Sequence, residues 1–205
     1  MKILVACEES QAVTIELRRL GHEAYSCDIE PCSGGHPEWH LQQDVLPLLR
    51  EKWDMIIAFP PCTYLSNAGA KHLFRGGVLN HDRYEKGIEA KEFFLKLLNA
   101  NCERIAIENP IASKIFEMPK ESQTVQPYWF GDPWSKKTRL WLRGLPLLKP
   151  TNMVEPQSEC HSAGTWFMRG GKERQKNRAK TPHGLAVAMA EQWAGRNTEQ
   201  DGGAE

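Results

Sequence analysis

The stretch Met55-Ile56-Ile57-Ala58-Phe59-Pro60-Pro61-Cys62-Thr63-Tyr64 decides the fold. Its first five residues are an unbroken apolar run after the polar Glu51-Lys52 and the pair Trp53-Asp54, which is how a strand covered on both faces reads. Pro60 and Pro61 end the ladder, because neither has an amide hydrogen to donate and both fix φ. Cys62 is thereby held at the carboxyl end of a buried strand, the edge where open α/β sheets place their ligands. On this stretch alone two readings stand open. Cys62 is a small buried hydrophobe, the commonest fate of an isolated cysteine, or it is a thiol presented on a stiff turn.

A second strand with a matching end favours the thiol. Arg104-Ile105-Ala106-Ile107-Glu108-Asn109-Pro110 repeats the layout of apolar run, polar groups and strand-stopping proline. If the two strands are adjacent and parallel, Cys62 and Glu108 share one edge, where a thiol and a carboxyl serve as nucleophile and proton donor.

Working toward the amino terminus, Lys2 to Cys7 reads as an apolar first strand, and Glu8-Glu9-Ser10 as a turn in which Ser10 caps the next helix. Val13, Ile15, Leu17 and Leu20 run through that helix to Gly21, and Glu23 to Asp28 is a second strand ending in an acid. Strand, turn, helix, strand and terminal acid form the nucleotide-binding half of a Rossmann-like sheet, in which the acid holds ribose hydroxyls. The glycine fingerprint of dinucleotide sites is absent, and Glu8 and Glu9 would repel a pyrophosphate. A cofactor with a ribose and a cationic centre fits better. The expected fold class is α/β, a mostly parallel Rossmann-like sheet with helices on both faces.

Glu30 to His40 is a loop rich in proline, glycine and histidine, and Asp44 stands just before a short helix. Cys32, His36, His40 and Cys160-His161 match none of the usual zinc spacings, so no metal is expected. Thr63 to Arg83, with Gly69, Gly76, Gly77, Lys71, His72 and Arg75, reads as a mobile lid whose basic groups meet phosphate. Tyr84 to Ala100 has helical spacing. Ser113 to Met118 reads as a short helix, and Thr124 to Phe130 and Thr138 to Leu142 as strands of a hairpin, with Arg139 near the start of the second. Arg169 to Lys180 is the most basic segment, read as a phosphate-contact arm. Thr181-Pro182-His183-Gly184 opens a final helix over Leu185 to Ala194, and Asn197 to Glu205 reads as a disordered tail.

The chain of 205 residues, with 40% hydrophobic and 25% charged content, fits one globular domain, taken as residues 1–196. Lys+Arg and Asp+Glu balance at 26 each, so any nucleic-acid contact must come from a local patch. Six scattered cysteines without a leader segment point to a reducing cytoplasm. No apolar run approaches the roughly 20 residues of a membrane span.

Taken together, these motifs resemble the cytosine-C5 DNA methyltransferase family, in particular its small phage- or prophage-type members. Pro60-Pro61-Cys62 is similar to that family's nucleophile motif, Glu108-Asn109-Pro110 to its Glu-Asn-Val motif, and Thr138-Arg139 falls where its Gln-x-Arg-x-Arg motif lies. Asp28 and Asp44-Val45 correspond to the acids that bind the ribose and adenine of S-adenosyl-L-methionine, and Gly184 to Ala190 resembles the last motif, which completes the cofactor pocket. The likeness spans most of residues 1–195 in the family's motif order. The chain departs at Cys7-Glu8-Glu9-Ser10, where the family has a Phe-x-Gly-x-Gly turn, and at Leu185, where it usually has asparagine. Between Leu142 and Thr181 a short basic segment (143–180) stands in place of a full target-recognition domain.

The resemblance implies a Rossmann-like S-adenosylmethionine-dependent methyltransferase fold and methyl transfer to C5 of a flipped cytosine in DNA. Cys62 would add to C6, Glu108 would act at N3, Asn109 would position Glu108 or the turn, and Arg139 would orient the base or a phosphate. The cofactor would lie on Cys7, Glu8, Ser10, Asp28, Ile29, Asp44, Val45, Pro60, Ala186 and Val187. Substrate contacts would come from Pro61, Thr63, Lys71, Arg75, Thr138, Arg169 and Lys172. Two other readings stand beside it: the same chemistry on free cytosine nucleotides or RNA, motivated by the missing recognition domain, and a non-catalytic relative binding DNA or protein, motivated by the altered first motif.

Overall fold

The computed structural model describes residues 1–70, 72–157, 171, 177 and 179–196. Its strands are β1 (Lys2–Ala6), β2 (Glu23–Asp28), β3 (His40–Gln42), β4 (Met55–Ala58), β5 (Phe74–Arg75), β6 (Val78–Leu79), β7 (Ile105–Pro110), β8 (Gln123–Val125) and β9 (Thr138–Arg143). Its helices are α1 (Ala12–Arg19), α2 (Asn67–Ala70), α3 (His81–Leu98) and α4 (His183–Trp193). Seven strands form one sheet in the order β3-β2-β1-β4-β7-β9-β8, with β5 and β6 a separate hairpin. Neighbours from β3 through β7 pair in parallel, and β9 runs against both β7 and β8. This is the mostly parallel, Rossmann-like sheet expected from the sequence.

Alternation along each strand divides the core in two. On one face Ile3, Val5, Met55, Ile57, Ala106 and Leu140 pack against Val13 and Leu17 of α1 and Leu185 and Met189 of α4. On the other, Leu4, Ala6, Ile56, Ala58, Ile105 and Ile107 meet Phe94 and Leu97 of α3, with Leu48, Leu49 and Trp53. Helices on both faces leave β4 buried at every position. That is why its sequence shows no polar alternation.

Several elements differ from the sequence reading, each for a local reason. Helix α1 is not capped by Ser10; Gln11 stands at its N-cap in the left-handed region at φ 58°, with no side-chain cap. Strand β3 falls immediately after a loop and is three residues long, too short for a periodic signal. The segment read as a lid is structured: it holds α2 and the β5–β6 hairpin, and α3 already begins at His81, capped by Asn80 Oδ1 accepting from the Arg83 amide (3.1 Å). Within Thr124 to Phe130 the paired strand ends at Val125 and the chain stays extended through Gln126, because Pro127 opens a 3-10 turn over Pro127–Trp129. The helices expected after Asp44 and from Ser113 are single 3-10 turns, Leu48–Arg50 and Lys114–Phe116. Among the described residues no helix is long and apolar enough to cross a membrane.

Helix α4 lies alongside α1 and runs in the same direction, since His183 faces Glu16 (3.8 Å), Glu191 faces Arg19 (3.5 Å) and the Gly195 carbonyl meets His22 Nε2 (2.7 Å). Its amino end is tied to the segment before β9: the Gly184 amide donates to Asp132 Oδ2 at 3.0 Å. A Cβ on Gly184 would stand 1.8 Å from the Phe130 carbonyl oxygen, so the backbones approach too closely for any side chain. Gly184→Ala is expected to destabilise the fold by roughly 1–3 kcal/mol, which at this chain length lowers Tm by about 2–12 °C. Thermal unfolding followed by circular dichroism checks this, and a Tm equal to wild type would contradict the packing described.

Candidate functional site

The strand register lines up the carboxyl edge of the sheet. Cys27, Ala6, Ala58 and Ile107 are successive partners across β2, β1, β4 and β7. The next residues, Asp28, Cys7, Phe59 and Glu108, therefore stand together where those strands end. Phe59 makes the last rung of β4, its amide donating to the Ala6 carbonyl (2.9 Å). Pro60 then turns the chain and is buried, Pro61 and Thr63 are exposed, and Cys62 is half-buried.

Asn109 joins this turn to the neighbouring strand. Its side chain is 1% exposed, and Nδ2 donates to the Pro60 carbonyl at 3.1 Å. Its Oδ1 is buried with no hydrogen-bond partner among the described residues, an arrangement costing about 1–3 kcal/mol.

Directly opposite residues share a sheet face. Glu108 is opposite Leu140, Asn109 opposite Arg139 and Pro110 opposite Thr138. Arg139 therefore reaches the expected edge but lies on the Asn109 face, where its Nε is 3.3 Å from Glu121 Oε1. Among the described residues the cation that faces Glu108 is instead Lys136, with Nζ 4.0 Å from Oε1 and the carboxyl side chain only 15% exposed. Thr138 is buried, and its hydroxyl donates to the Lys136 carbonyl (3.2 Å), shaping the turn that carries that lysine. The sequence gives Lys136 no distinction from Lys137; only the β7–β9 register separates them.

At the β1–β2 end the edge is acidic. Burial pushes the Cys7 thiol well above its ordinary range, and the negative charges of Asp28 and Asp44 add to the rise. Both acids therefore act on the same small region. The Asp28 and Asp44 carboxylates each accept a backbone amide, from Glu30 and Leu46 respectively (both 3.0 Å). Val45 is buried beside them, whereas Ile29 is 73% exposed. Two carboxylates next to apolar surface suit hydroxyls, a flat base and a positively charged centre. Glu8 points elsewhere: its carboxylate accepts from the amides of Val13 (2.7 Å) and Thr14 (3.3 Å) and from Thr14 Oγ1 (2.7 Å), filling the capping role expected of Ser10. Ser10 is half-buried in the turn, Ala186 is wholly enclosed in the core under α1 and Val187 half-buried.

His36 stacks on Trp39 at 3.8 Å, and His40 bonds Ser26 Oγ (2.8 Å) and the Glu30 carbonyl (2.9 Å), so these histidines hold the loop itself. Lys71, Cys160, His161, Arg169, Lys172 and the tail 197–205 lie outside the described residues, and Arg75 is described in its backbone only.

No protein-family model matches the chain. No curated protein sequence does either. Among solved structures the chain is similar to the crystal structure of a mutant of DNMT2 from Spodoptera frugiperda, at 19% identity and a TM-score of 0.38. The match covers 75% of this chain and 54% of that one, so the chain spans about half the length of that structure.

Burial pushes the Glu8 carboxyl up from an ordinary value of 4.5 to about 7, against the hydrogen bonds from Val13 and Thr14, with the charge of Glu9 adding to the rise. The folded state thus holds this proton more tightly than the unfolded chain. The stability it contributes is fully present below about pH 4.5 and is lost as the pH rises through about 7. Relative to Glu8→Gln, wild-type unfolding free energy should fall by on the order of 3 kcal/mol across that window and run level above it. Urea unfolding of both proteins at several pH values measures the difference; a constant offset would refute the assignment.

Proposed function

We propose that this chain is an S-adenosyl-L-methionine-dependent methyltransferase that modifies C5 of cytosine in DNA through a covalent adduct with Cys62. The observation that carries the reading is the joint between two strand ends: Asn109 of β7 bonds the Pro60 carbonyl (3.1 Å), so the Pro60-Pro61-Cys62 turn and Glu108 belong to one edge. The order of motifs along the chain supports the same reading.

S-adenosyl-L-methionine would supply an electrophilic methyl group on a cationic sulfur. Asp28 would receive its ribose hydroxyls, Asp44, Val45 and Ile29 its base, and the acidic field at Cys7 its positive charge. C5 of cytosine is a poor nucleophile until a group adds to C6, and a thiolate does so reversibly. Cys62 Sγ bonds C6 while Glu108 holds a proton or hydrogen bond at N3, where electron density accumulates. After C5 has gained the methyl group, its proton passes to a base, the C6–S bond breaks and the thiolate leaves. In a duplex the cytosine must first be flipped out, at a cost of a few kcal/mol. Pro61, Thr63, Arg75 and the basic segment with Arg169 and Lys172 are the proposed nucleic-acid contacts, and the proposed location is the cytoplasm.

The test is transfer of labelled methyl from S-adenosyl-L-methionine to unmethylated genomic DNA, with the modified base identified. Wild type should yield 5-methylcytosine, and Cys62→Ala should fall to background. Asn109→Ala, which frees the Pro60 carbonyl, should keep its fold and lose on the order of 10- to 100-fold in kcat. A Cys62→Ala protein as active as wild type, or label on another base, would reject the mechanism. Label on cytidine nucleotides or RNA but not on DNA would move the reading to those substrates.

A further inference from the structure

The chain leaving Cys62 is held from two sides. The amides of Leu65 and Ser66 both donate to the Cys62 carbonyl (3.2 and 2.9 Å), closing a turn directly behind the thiol. The segment beyond β7 forms one wall: the Ser113 amide donates to the Leu65 carbonyl (2.7 Å) and the Asn67 amide to the Ile111 carbonyl (2.9 Å). Arg83, in the first turn of α3, forms the other. Its Nη2 donates to the Thr63 carbonyl at 3.1 Å and its Nε to the Gly69 carbonyl at 3.3 Å. Its guanidinium also lies 5.0 Å from the centre of the Tyr64 ring.

Gly69 makes this arrangement possible. A Cβ there would stand 2.3 Å from the Thr63 carbonyl oxygen and 3.1 Å from Arg83 Nη2. The planar fork of a guanidinium holds two carbonyls in fixed relation, which a single ammonium does less well.

We propose that Arg83 is a positioning residue for Cys62: by holding the carbonyls of Thr63 and Gly69 it fixes the turn in its reactive conformation before substrate arrives. Its catalytic meaning rests on the methyltransferase reading above, whereas its effect on the turn rests on geometry alone. The β5–β6 hairpin beyond it is closed at its base by the Asn80 amide on the Leu73 carbonyl (2.8 Å).

The test uses the full chain with Arg83→Met, which keeps the stem and loses every donor, and Arg83→Lys, which keeps the charge. Amide hydrogen exchange of residues 63–70, the rate of Cys62 alkylation by iodoacetamide read on its own peptide, and kcat and KM are measured for each. In Arg83→Met, exchange at Leu65 and Ser66 should speed up about tenfold, the equivalent of one lost hydrogen bond, while exchange in α1 is unchanged. The Cys62 alkylation rate should change, and kcat should fall on the order of 100-fold with KM for S-adenosyl-L-methionine held; Arg83→Lys should be intermediate. Wild-type exchange and alkylation rates in Arg83→Met would overturn the proposal, and so would equal acceleration in α1, which signals a general loss of stability. A wild-type chain that transfers no methyl group would reject the methyltransferase reading and with it a catalytic meaning for Arg83, while exchange and alkylation would still decide its hold on the turn.

Discussion

The hydrogen bond from Asn109 Nδ2 to the Pro60 carbonyl is the contact on which the edge of the sheet depends. A strand that ends in two prolines has no amide with which to continue its ladder, so the turn after β4 must be fixed from outside. Asn109 supplies that fixation from the adjacent strand, and its burial removes competing water. Because β7 pairs with β4 in parallel register, the bond brings a carboxyl-bearing strand end to the cysteine-bearing one. The β9 pairing then adds Lys136 and Arg139 to the same edge.

Charge is divided along that edge. Asp28 and Asp44 dominate the β1–β2 end, where they raise the Cys7 thiol, while at the β4–β9 end Lys136 faces Glu108 and Arg139 faces Glu121, and Arg83 is spent on backbone carbonyls. The chain as a whole carries 26 cations and 26 anions, so the division is local and invisible in the net charge. On the proposed reading the acidic β1–β2 end is the side that attracts a cationic methyl donor.

The sheet was legible because its central strands are buried on both faces, and continuous apolar runs such as Met55–Ala58 have few other uses. The prolines that stop β4 and β7 marked the edge for the same reason. What stayed hidden were features set by contacts between distant segments. Ser10 has the chemistry of a cap, yet Glu8 fills that role, because Gln11 takes a left-handed conformation. Arg139 was visible as a cation near a strand start, but which face it takes depends on register, and a one-residue shift exchanges faces. Glycine and polar content made 63–83 look like a lid, whereas Gly69 serves close packing rather than freedom. Arg83 gave no signal, since both groups it donates to are backbone carbonyls.

The pairing of α1 with α4 has a consequence for how the molecule is made. His22 and Gly195, which meet at one end of this pair, are 173 residues apart in sequence. The face of the sheet carrying Ile3, Val5, Met55 and Ile57 cannot be covered until α4 has left the ribosome. Contacts of such long sequence separation close late, so an apolar surface stays open through most of synthesis and is exposed to aggregation in that interval. The opposite face, covered by α3, is complete much earlier. The two halves of one core thus mature at different times.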